Sequence, residues 1–326
     1  CERAFLQSRL PWAKVDFHLA ITERDIERFL INAAIRLIGQ SVGQIDKFTA
    51  VIKNFVKHLT PKFALSSEHM RLELEVTNQS TAAENVCEAI LLLDKLLCEK
   101  DQRAVLLLDE FQEVGAISRG KGIEGAIRSA AQETKRLAIV FSGSNPHLLK
   151  CMFEDERRPL YKLCRKLLLN RITKNHYRLH LNKAAKLMWK KELLEDVFEK
   201  IMELSEQHPH YVNHLCDVLW SSTSNKLPNI NEVISAWNEV CEEEKSDLIK
   251  DFLNLSENQK KILKYIATVS AQNLYSSEAA KMMDIPQGSV RGAIEFLLEK
   301  DFIQKNNDSF KLIIPVYEKL LSEISN

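Results

Sequence analysis

The chain has 326 residues, and its 45 basic and 45 acidic side chains give a formal net charge of zero at pH 7. Charged residues make up 28% and hydrophobic residues 45% of the sequence, which is typical of a globular protein and argues against a disordered, collagenous or coiled-coil chain. The balanced charge also argues against a generally basic nucleic-acid-binding protein, and the length suggests two or three domains.

The cysteines and the apolar runs indicate a cytoplasmic protein. Seven cysteines lie at wide spacings with no C-x-x-C pair, which is typical of reduced thiols rather than of a disulfide framework. The longest apolar runs, 89–93 and 104–108, are too short to span a bilayer, and no secretory segment opens the chain. Because the sequence starts at Cys1 within what looks like a helix, we expect the natural N-terminus to lie upstream.

The first third of the chain predicts a strand, a turn and a helix. Residues 13–20 have strand character, Thr22 is a candidate N-cap, and apolar residues then recur at helical spacing until Gly39, which is expected to end the helix. Further predicted elements are a helix over 48–59, a strand over 70–76 and a helix over 81–99.

The next stretch predicts two neighbouring parallel strands. Residues 104–108 form a continuous apolar run, short enough for a strand buried on both faces, and Asp109 and Glu110 follow at once. A helix is predicted within 115–136, with its core near 123–133, and residues 137–141 repeat the buried-strand pattern before Ser142-Gly-Ser-Asn145. A strand, a helix and a strand at this spacing predict a β-α-β crossover.

The second half of the sequence predicts mostly helices. Helices are predicted over 182–204, 209–224 and 229–253. The last segment predicts helices over 257–269, 277–283 and 287–300, followed by a hairpin over 302–314. Three helices and a hairpin in this order predict a winged helix, a form of the helix-turn-helix.

Asp109 and Glu110 are the first candidates for chemistry. Carboxylates at the C-terminal edge of a buried parallel strand lie where doubly wound sheets bind ligands. In a nucleotide hydrolase, the first acid holds Mg²⁺ through water and the second orients or deprotonates the attacking water. The alternative is that the two acids only cap the following turn, since an apolar run ending in Asp-Glu is common.

Ser142 and Ser144 are the second candidates, because they follow the neighbouring strand. A polar side chain there would reach a γ-phosphate or the attacking water. The alternative is a turn whose residues serve the backbone alone.

Five segments in order carry a resemblance to a known family: LLLDEFQEV, IEGAIRSAAQ, IVFSGSNPHLL, RPLYKLC and HPHYVNHLCDVLW, followed by the predicted winged helix. Together they resemble the prokaryotic P-loop ATPases of the archaeal-ATPase type, which are related to AAA and STAND NTPases. The resemblance implies an α/β P-loop NTPase core with a parallel sheet over 1–175, an all-α lid over 176–253 and a winged-helix domain over 254–326. It also implies ATP and Mg²⁺ as cofactors, Asp109 as the Walker B acid near Mg²⁺, Glu110 as the catalytic glutamate, and Ser142 or Ser144 as the sensor.

The family's phosphate-binding loop, G-x-x-x-x-G-K-[ST], does not occur in the 326 residues. Three interpretations stay open: the loop precedes Cys1 in a longer chain, it was omitted from the sequence as disordered, or the protein lacks it. The first two are favoured.

Further residues have a functional and a structural interpretation. Pro209 matches a lid proline that lies near adenine in related NTPases, but a proline also suits the first turn of a helix. Gln112 follows the two acids closely enough to contact water or metal. The candidates for an arginine finger are Arg128 and Arg158, with Arg157, Arg165 and Arg171; each also suits an ion pair.

The segment His208 to Cys216 resembles a metal site only in part. His210 and His214 are four residues apart, a spacing that zinc sites use, but no third ligand stands at a metal-site spacing. The sequence therefore favours a helix face with interface histidines, and it predicts that the acids of 242–245 form a solvated face.

The sequence thus predicts a Mg²⁺-dependent ATPase that acts as a nucleotide-controlled switch. The winged helix is expected to bind a protein partner, since its charges are a weak footprint for DNA. The alternative is a non-hydrolysing scaffold, in which a degenerate core carries a DNA-binding or partner-binding winged helix.

Overall fold

The structure, a computed structural model, describes residues 7, 10–42, 63–64, 73–74, 81–117, 122–223, 226–269, 271–306 and 309–325. The chain divides into two compact units, 1–166 and 167–326. Each unit has its own cluster of buried hydrophobic side chains.

The first unit is a mixed α/β structure. In chain order its elements are β1 (Trp12–Asp16), α1 (Glu23–Val42), β2 (Phe63–Ala64), β3 (Glu73–Leu74), α2 (Ala82–Glu99), β4 (Ala104–Asp109), α3 (Gln112–Ile117), α4 (Gly122–Glu133), β5 (Leu137–Phe141) and α5 (Pro146–Glu154). The two short strands β2 and β3 pair antiparallel with each other.

The main sheet has three parallel strands in the order β1-β4-β5. Strand β4 is central, and its first five residues are buried, as its continuous apolar sequence predicts. Strand β5 is less buried than predicted: only Leu137 is fully buried, and Ala138 is exposed. Among the described strands β5 pairs only with β4, so it lies at an edge of the described sheet.

Helix α1 begins where the sequence predicts and ends later. The Asp25 carboxylate accepts the backbone N–H and the hydroxyl of Thr22, and the Thr22 hydroxyl accepts the N–H of Asp25, which together form a short capping box. The predicted end at Gly39 was wrong, because the helix continues to Val42. The Gln40 side chain bonds both the N–H and the C=O of Trp12, and these bonds fasten the last turn to β1.

Three other predictions concern the first unit. The helix predicted within 115–136, with its core at 123–133, is confirmed as α4, and a separate short helix, α3, precedes it. The helix predicted over 48–59 lies outside the described residues, and of the strand predicted over 70–76 the structure describes only Glu73–Leu74.

The second unit is mostly helical. Its elements are α6 (Lys174–Trp189), α7 (Glu195–Leu204), α8 (Pro209–Ser222), α9 (Ile230–Leu253), α10 (Glu257–Thr268), α11 (Ser277–Met282), α12 (Gln287–Glu299), β6 (Ile303–Asn306), β7 (Ser309–Leu312) and α13 (Pro315–Ser325). Strands β6 and β7 form the predicted antiparallel hairpin, with Ile303 opposite Leu312. Helix α10 starts at the predicted cap, Ser256, which forms a capping box with Gln259.

The helix predicted over 182–204 was wrong, because the structure has α6 and α7 with a break between them. Lys190 ends α6 in the left-handed conformation at φ 59°, a role that glycine usually fills. The Trp189 indole N–H donates to the carbonyl of Thr223 over 2.7 Å, which holds the end of α6 against the end of α8.

One hydrophobic cluster runs through the second unit from Tyr177 to Leu321. It joins the segments predicted as lid and as winged helix, so these two segments share a core. The three-part division predicted from the sequence stays a prediction. Within the described ranges, no helix has the length and apolar character needed to cross a bilayer.

Candidate functional site

Polar side chains gather at the C-terminal edge of the three-stranded sheet. Because the strands are parallel and in register, Asp16 at the end of β1 stands opposite Asp109 at the end of β4, and Leu108 stands opposite Phe141. Ser142 continues directly from β5. The site therefore lies where all three strands end. The sequence predicts this for β4 and β5, but not for β1.

Asp109 is held by one residue from each neighbouring strand. The Ser142 hydroxyl donates to its Oδ1 over 2.6 Å, and the Lys14 Nζ lies 2.6 Å from its Oδ2. The Asp109 side chain remains 25% exposed, so solvent and ions reach it. Burial alone raises the pKa of this carboxyl, but Lys14 and Ser142 outweigh that effect and hold the pKa below its usual value.

Glu110 has a different set of partners from those of Asp109. The Ser144 hydroxyl donates to Glu110 Oε2 over 2.8 Å, and the Gln112 amide donates to the same oxygen. The backbone of Glu110 is left-handed at φ 50°, which is uncommon for a side chain of this size and is found disproportionately at functional sites. The two predicted serines thus serve one acid each.

Gly143 allows the Gln112 side chain to lie across the loop. A Cβ added at Gly143 would stand 2.0 Å from the Gln112 Oε1, so glycine leaves the space that this amide fills. The same Oε1 is buried without a hydrogen-bond partner. Gln112 therefore helps to hold the Glu110 carboxylate in place through its amide hydrogen bond. This contact gives a physical reason for a glutamine two residues after Glu110.

Lys14 and Asp16 are the site residues that sequence reasoning missed. Along β1, Ala13 and Val15 are buried while Lys14 and Asp16 face the other way. The Lys14 Nζ also lies 3.8 Å from Asp16 Oδ2. The sequence contains a signal for these residues, because buried and polar side chains alternate along β1. A strand that pairs in parallel with β4 brings its own polar end close to Asp109.

The candidate arginines have structural contacts in the first unit. Arg128 donates to the carbonyls of Pro159 and Tyr161 over 2.6 and 2.9 Å. Arg158 pairs with Glu124, whose side chain is fully buried. Burial raises the pKa of Glu124, and Arg158 offsets only part of that effect. Both arginines thus fasten residues 158–161 to helix α4.

Arg157, Arg171 and Pro209 also have local structural roles. Arg157 pairs with Asp155, whose pKa falls to about 2 through that bond. Arg171 donates to the carbonyl of Ile313 within the second unit. Pro209 lies in the second unit and opens α8 at its first turn, where a proline fits for local reasons.

A comparison with solved structures supports the fold. The Walker-type ATPase PABY2304 of Pyrococcus abyssi matches with a TM-score of 0.62 over 98% of this chain and 86% of that chain, at 18% sequence identity. The chain has the fold of a Walker-type ATPase. At this identity the likeness establishes the fold alone.

Two further matches are weaker. The Aeropyrum pernix ORC2 protein, in its ADPNP-ADP complexes, matches 100% of this chain and 82% of that chain with a TM-score of 0.47 and 13% identity. The Aeropyrum pernix ORC1 protein in complex with DNA matches 99% of this chain and 80% of that chain with a TM-score of 0.43 and 14% identity. No family model matches the sequence, and no curated protein matches it.

The donor set at the sheet edge fits Mg²⁺. The carboxylates of Asp109 and Glu110 and the hydroxyls of Ser142 and Ser144 are hard oxygen donors within one hydrogen-bonded group. Mg²⁺ keeps several waters and needs only one or two carboxylates, so the partly exposed Asp109 offers enough. A zinc or copper ion would find no sulfur or imidazole among these residues.

Proposed function

We propose that this protein is a Mg²⁺-dependent ATPase whose acid pair is Asp109 and Glu110. The observation that carries the proposal is that both acids lie at the end of the central strand, each accepts a hydrogen bond from a serine hydroxyl that follows β5, and each is partly exposed to solvent. The Walker-type fold supports it. The choice of ATP over GTP rests on the sequence resemblance.

The residues then take the following roles. Asp109, as an ionised carboxylate, would hold Mg²⁺ through water, and the ion would supply positive charge for the phosphates. Glu110 accepts a proton from the attacking water, and Ser144 with Gln112 fixes the orientation of that carboxylate. Ser142 keeps Asp109 in place and senses its occupancy.

Lys14 extends this proposal to the nucleotide-free protein. Its ammonium group occupies the Asp109 oxygen that the hydrated ion would use. Lys14 keeps the Asp109 carboxyl ionised and offsets its charge when no cation is bound there. If Mg²⁺ took the place of the ammonium group, Lys14 would turn to Asp16, whose Oδ2 lies 3.8 Å from its Nζ.

The second unit is proposed to transmit the nucleotide state. Helices α10 to α12 and the hairpin β6–β7 have the order of a winged helix, and we infer that this module binds a protein partner. Pro209 is proposed to contact the nucleotide, and this stays a prediction. Arg128 and Arg158 remain candidates for charge stabilisation only if nucleotide frees them from their present bonds.

The charges of this module favour a protein partner over DNA. Four basic side chains of the module are paired with acids: Lys260 with Glu257, Lys261 with Asp284, Arg291 with Glu295 and Lys311 with Glu206. Binding measured across a salt series separates the two, because phosphate contacts give a steep salt dependence. A steep slope would favour the DNA-binding scaffold.

The test of the ATPase is phosphate release by the full-length protein. We expect Glu110→Gln to lower the turnover at least about 100-fold, because it removes the proton acceptor but keeps an oxygen for Ser144. Glu113→Gln, one turn further into α3, is the matched control and should leave turnover unchanged. Equal turnover in wild type and Glu110→Gln, or no ATP-dependent phosphate release at all, would sink the proposal and favour the scaffold.

A further inference from the structure

Helices α8 and α9 bring two histidines and a glutamate together in the second unit. His210 and His214 lie one turn apart on α8, and Glu244 faces them from α9. With one donor atom from each residue, the three donors lie within 4.8 Å of one another. The sequence alone offered no third ligand, because Glu244 follows His214 by thirty positions and reaches it only through the packing of the two helices.

The distances from the Glu244 carboxylate to the two histidines suit a tetrahedral ion. Glu244 Oε1 lies 3.0 Å from His210 Nε2 and 3.5 Å from His214 Nδ1. Zinc bonds of about 2.0–2.1 Å at a tetrahedral angle place neighbouring donor atoms about 3.3 Å apart. The carboxylate oxygen therefore already stands at close to the required separation from both imidazoles.

The surrounding residues orient these donors as the outer partners of metal ligands do. His214 Nε2 lies 2.8 Å from Glu243 Oε2, and the Tyr211 hydroxyl donates to the second oxygen of Glu244 over 2.5 Å. When Nε2–H donates to Glu243, the lone pair of His214 lies on Nδ1. A carboxylate on the far nitrogen of a ligating histidine is a regular feature of such sites.

His214 Nδ1 also gives a reason to expect a ligand. This nitrogen is buried and makes no hydrogen bond, and the nearest charged oxygen, Glu244 Oε1, lies 3.5 Å away. The hydrogen bonds between the two helices are made by His210 and Tyr211 with Glu244 and by His214 Nε2 with Glu243, and none of them uses Nδ1. A buried nitrogen that makes no hydrogen bond costs free energy, and a metal bond would use its lone pair.

We propose that His210, His214 and Glu244 bind a divalent transition-metal ion, with zinc as the best fit. Two imidazoles and one carboxylate form a donor set that zinc uses, whereas Mg²⁺ and Ca²⁺ prefer oxygen donors alone. His210 is 61% exposed, so an ion reaches the site from solvent, and water completes the fourth position. The ion cross-links α8 and α9.

The test is zinc binding by the purified chain, measured by calorimetry and by the absorption spectrum of the Co²⁺ form. We expect one equivalent to bind and to raise the melting temperature, since a ligand that binds only the folded state stabilises it. His210→Gln and Glu244→Gln should each weaken binding at least about 10-fold. His180→Gln, an exposed histidine on α6, is the control and should leave the affinity unchanged.

Three results would overturn the proposal. They are no zinc binding, affinity unchanged in the His210→Gln/His214→Gln double variant, and a Co²⁺ spectrum with the intense bands of thiolate ligands, which would place the ion on cysteines. Because His210 is largely exposed, its single variant is expected to keep the fold, and the melting temperature measured without metal checks this. None of these measurements depends on ATP, so the metal site and the proposed ATPase are tested separately.

Discussion

At the residue scale, the arrangement around Asp109 separates what sequence could predict from what it could not. Asp109 and Glu110 follow one apolar run and Ser142 and Ser144 follow the next, so their meeting follows from two parallel strands in register. Lys14 was not predicted, because the sequence indicated a strand at 13–20 but not that this strand pairs with β4. The left-handed backbone at Glu110, which separates the two acids after the strand, was not predicted, because no residue type signals it.

The ion pair between Lys14 and Asp109 gives a pH-dependent prediction. Because the folded pKa of Asp109 lies below its usual 3.8, the pair stabilises the protein above that pH, and this stability is lost as the pH falls through the folded pKa. We expect Lys14→Met to lower the free energy of unfolding by about 1 kcal/mol at pH 7. The difference from wild type should shrink as the pH falls below about 4.

Urea denaturation across a pH series measures this effect. The double variant Lys14→Met/Asp109→Asn completes a double-mutant cycle, and its stability shows whether the two residues act through each other. A difference that stays constant from pH 7 to pH 3 would show that Lys14 contributes through packing and not through Asp109.

The glutamates that contact the two histidines could not be predicted from the sequence. The spacing of His210 and His214 was visible in the sequence, but the acids of 242–245 were predicted to face solvent. Helix α9 instead directs Glu243 and Glu244 at the histidines of α8. Long-range pairing of two helices fixes this, and a single sequence contains no local signal for it.

At the element scale, the start of β5 depends on a carboxylate from α2. Asp94 is buried and accepts the backbone N–H groups of Lys135, Arg136 and Leu137. These bonds satisfy donors that the sheet leaves free where the chain turns from α4 into the strand. Asp94 thus positions the strand that carries Ser142 to the site.

We expect Asp94→Ala to lower the free energy of unfolding by about 2–3 kcal/mol, because it leaves three backbone N–H groups, that of the buried Leu137 among them, without this acceptor. Asp101→Asn is the matched control: it removes an exposed ion pair with Arg136 and should cost less than about 1 kcal/mol. Chemical denaturation measures both variants. Equal losses would mean that the bonds of Asp94 add nothing beyond a surface charge.

The errors in helix bounds have physical causes at this same scale. Gly39 was expected to end α1, but a glycine inside a helix costs only about 1 kcal/mol, and the bonds of Gln40 to Trp12 offset it. Lys190 ends α6 although neither glycine nor proline marks the place, because the Trp189 bond to Thr223 fixes the end. Contacts between elements overrode local preference in both cases.

At the scale of the whole molecule, the two units have separate hydrophobic cores. Leu108 is buried in the first and Leu215 in the second. We expect Leu108→Ala and Leu215→Ala each to cost about 2–5 kcal/mol, since each leaves a cavity. Amide hydrogen exchange should rise only in the unit that carries the change, and a similar rise in both units would show that the cores unfold as one.

The central claim concerns the whole protein, because it requires a magnesium nucleotide at the acid pair. Binding of a fluorescent ATP analogue by the full-length protein, with and without Mg²⁺, tests it most directly. Wild type should bind more tightly with Mg²⁺, and Asp109→Asn should lose that gain, while the control variant Glu113→Gln should keep it. A Mg²⁺-dependent gain that survives unchanged in Asp109→Asn would contradict the account.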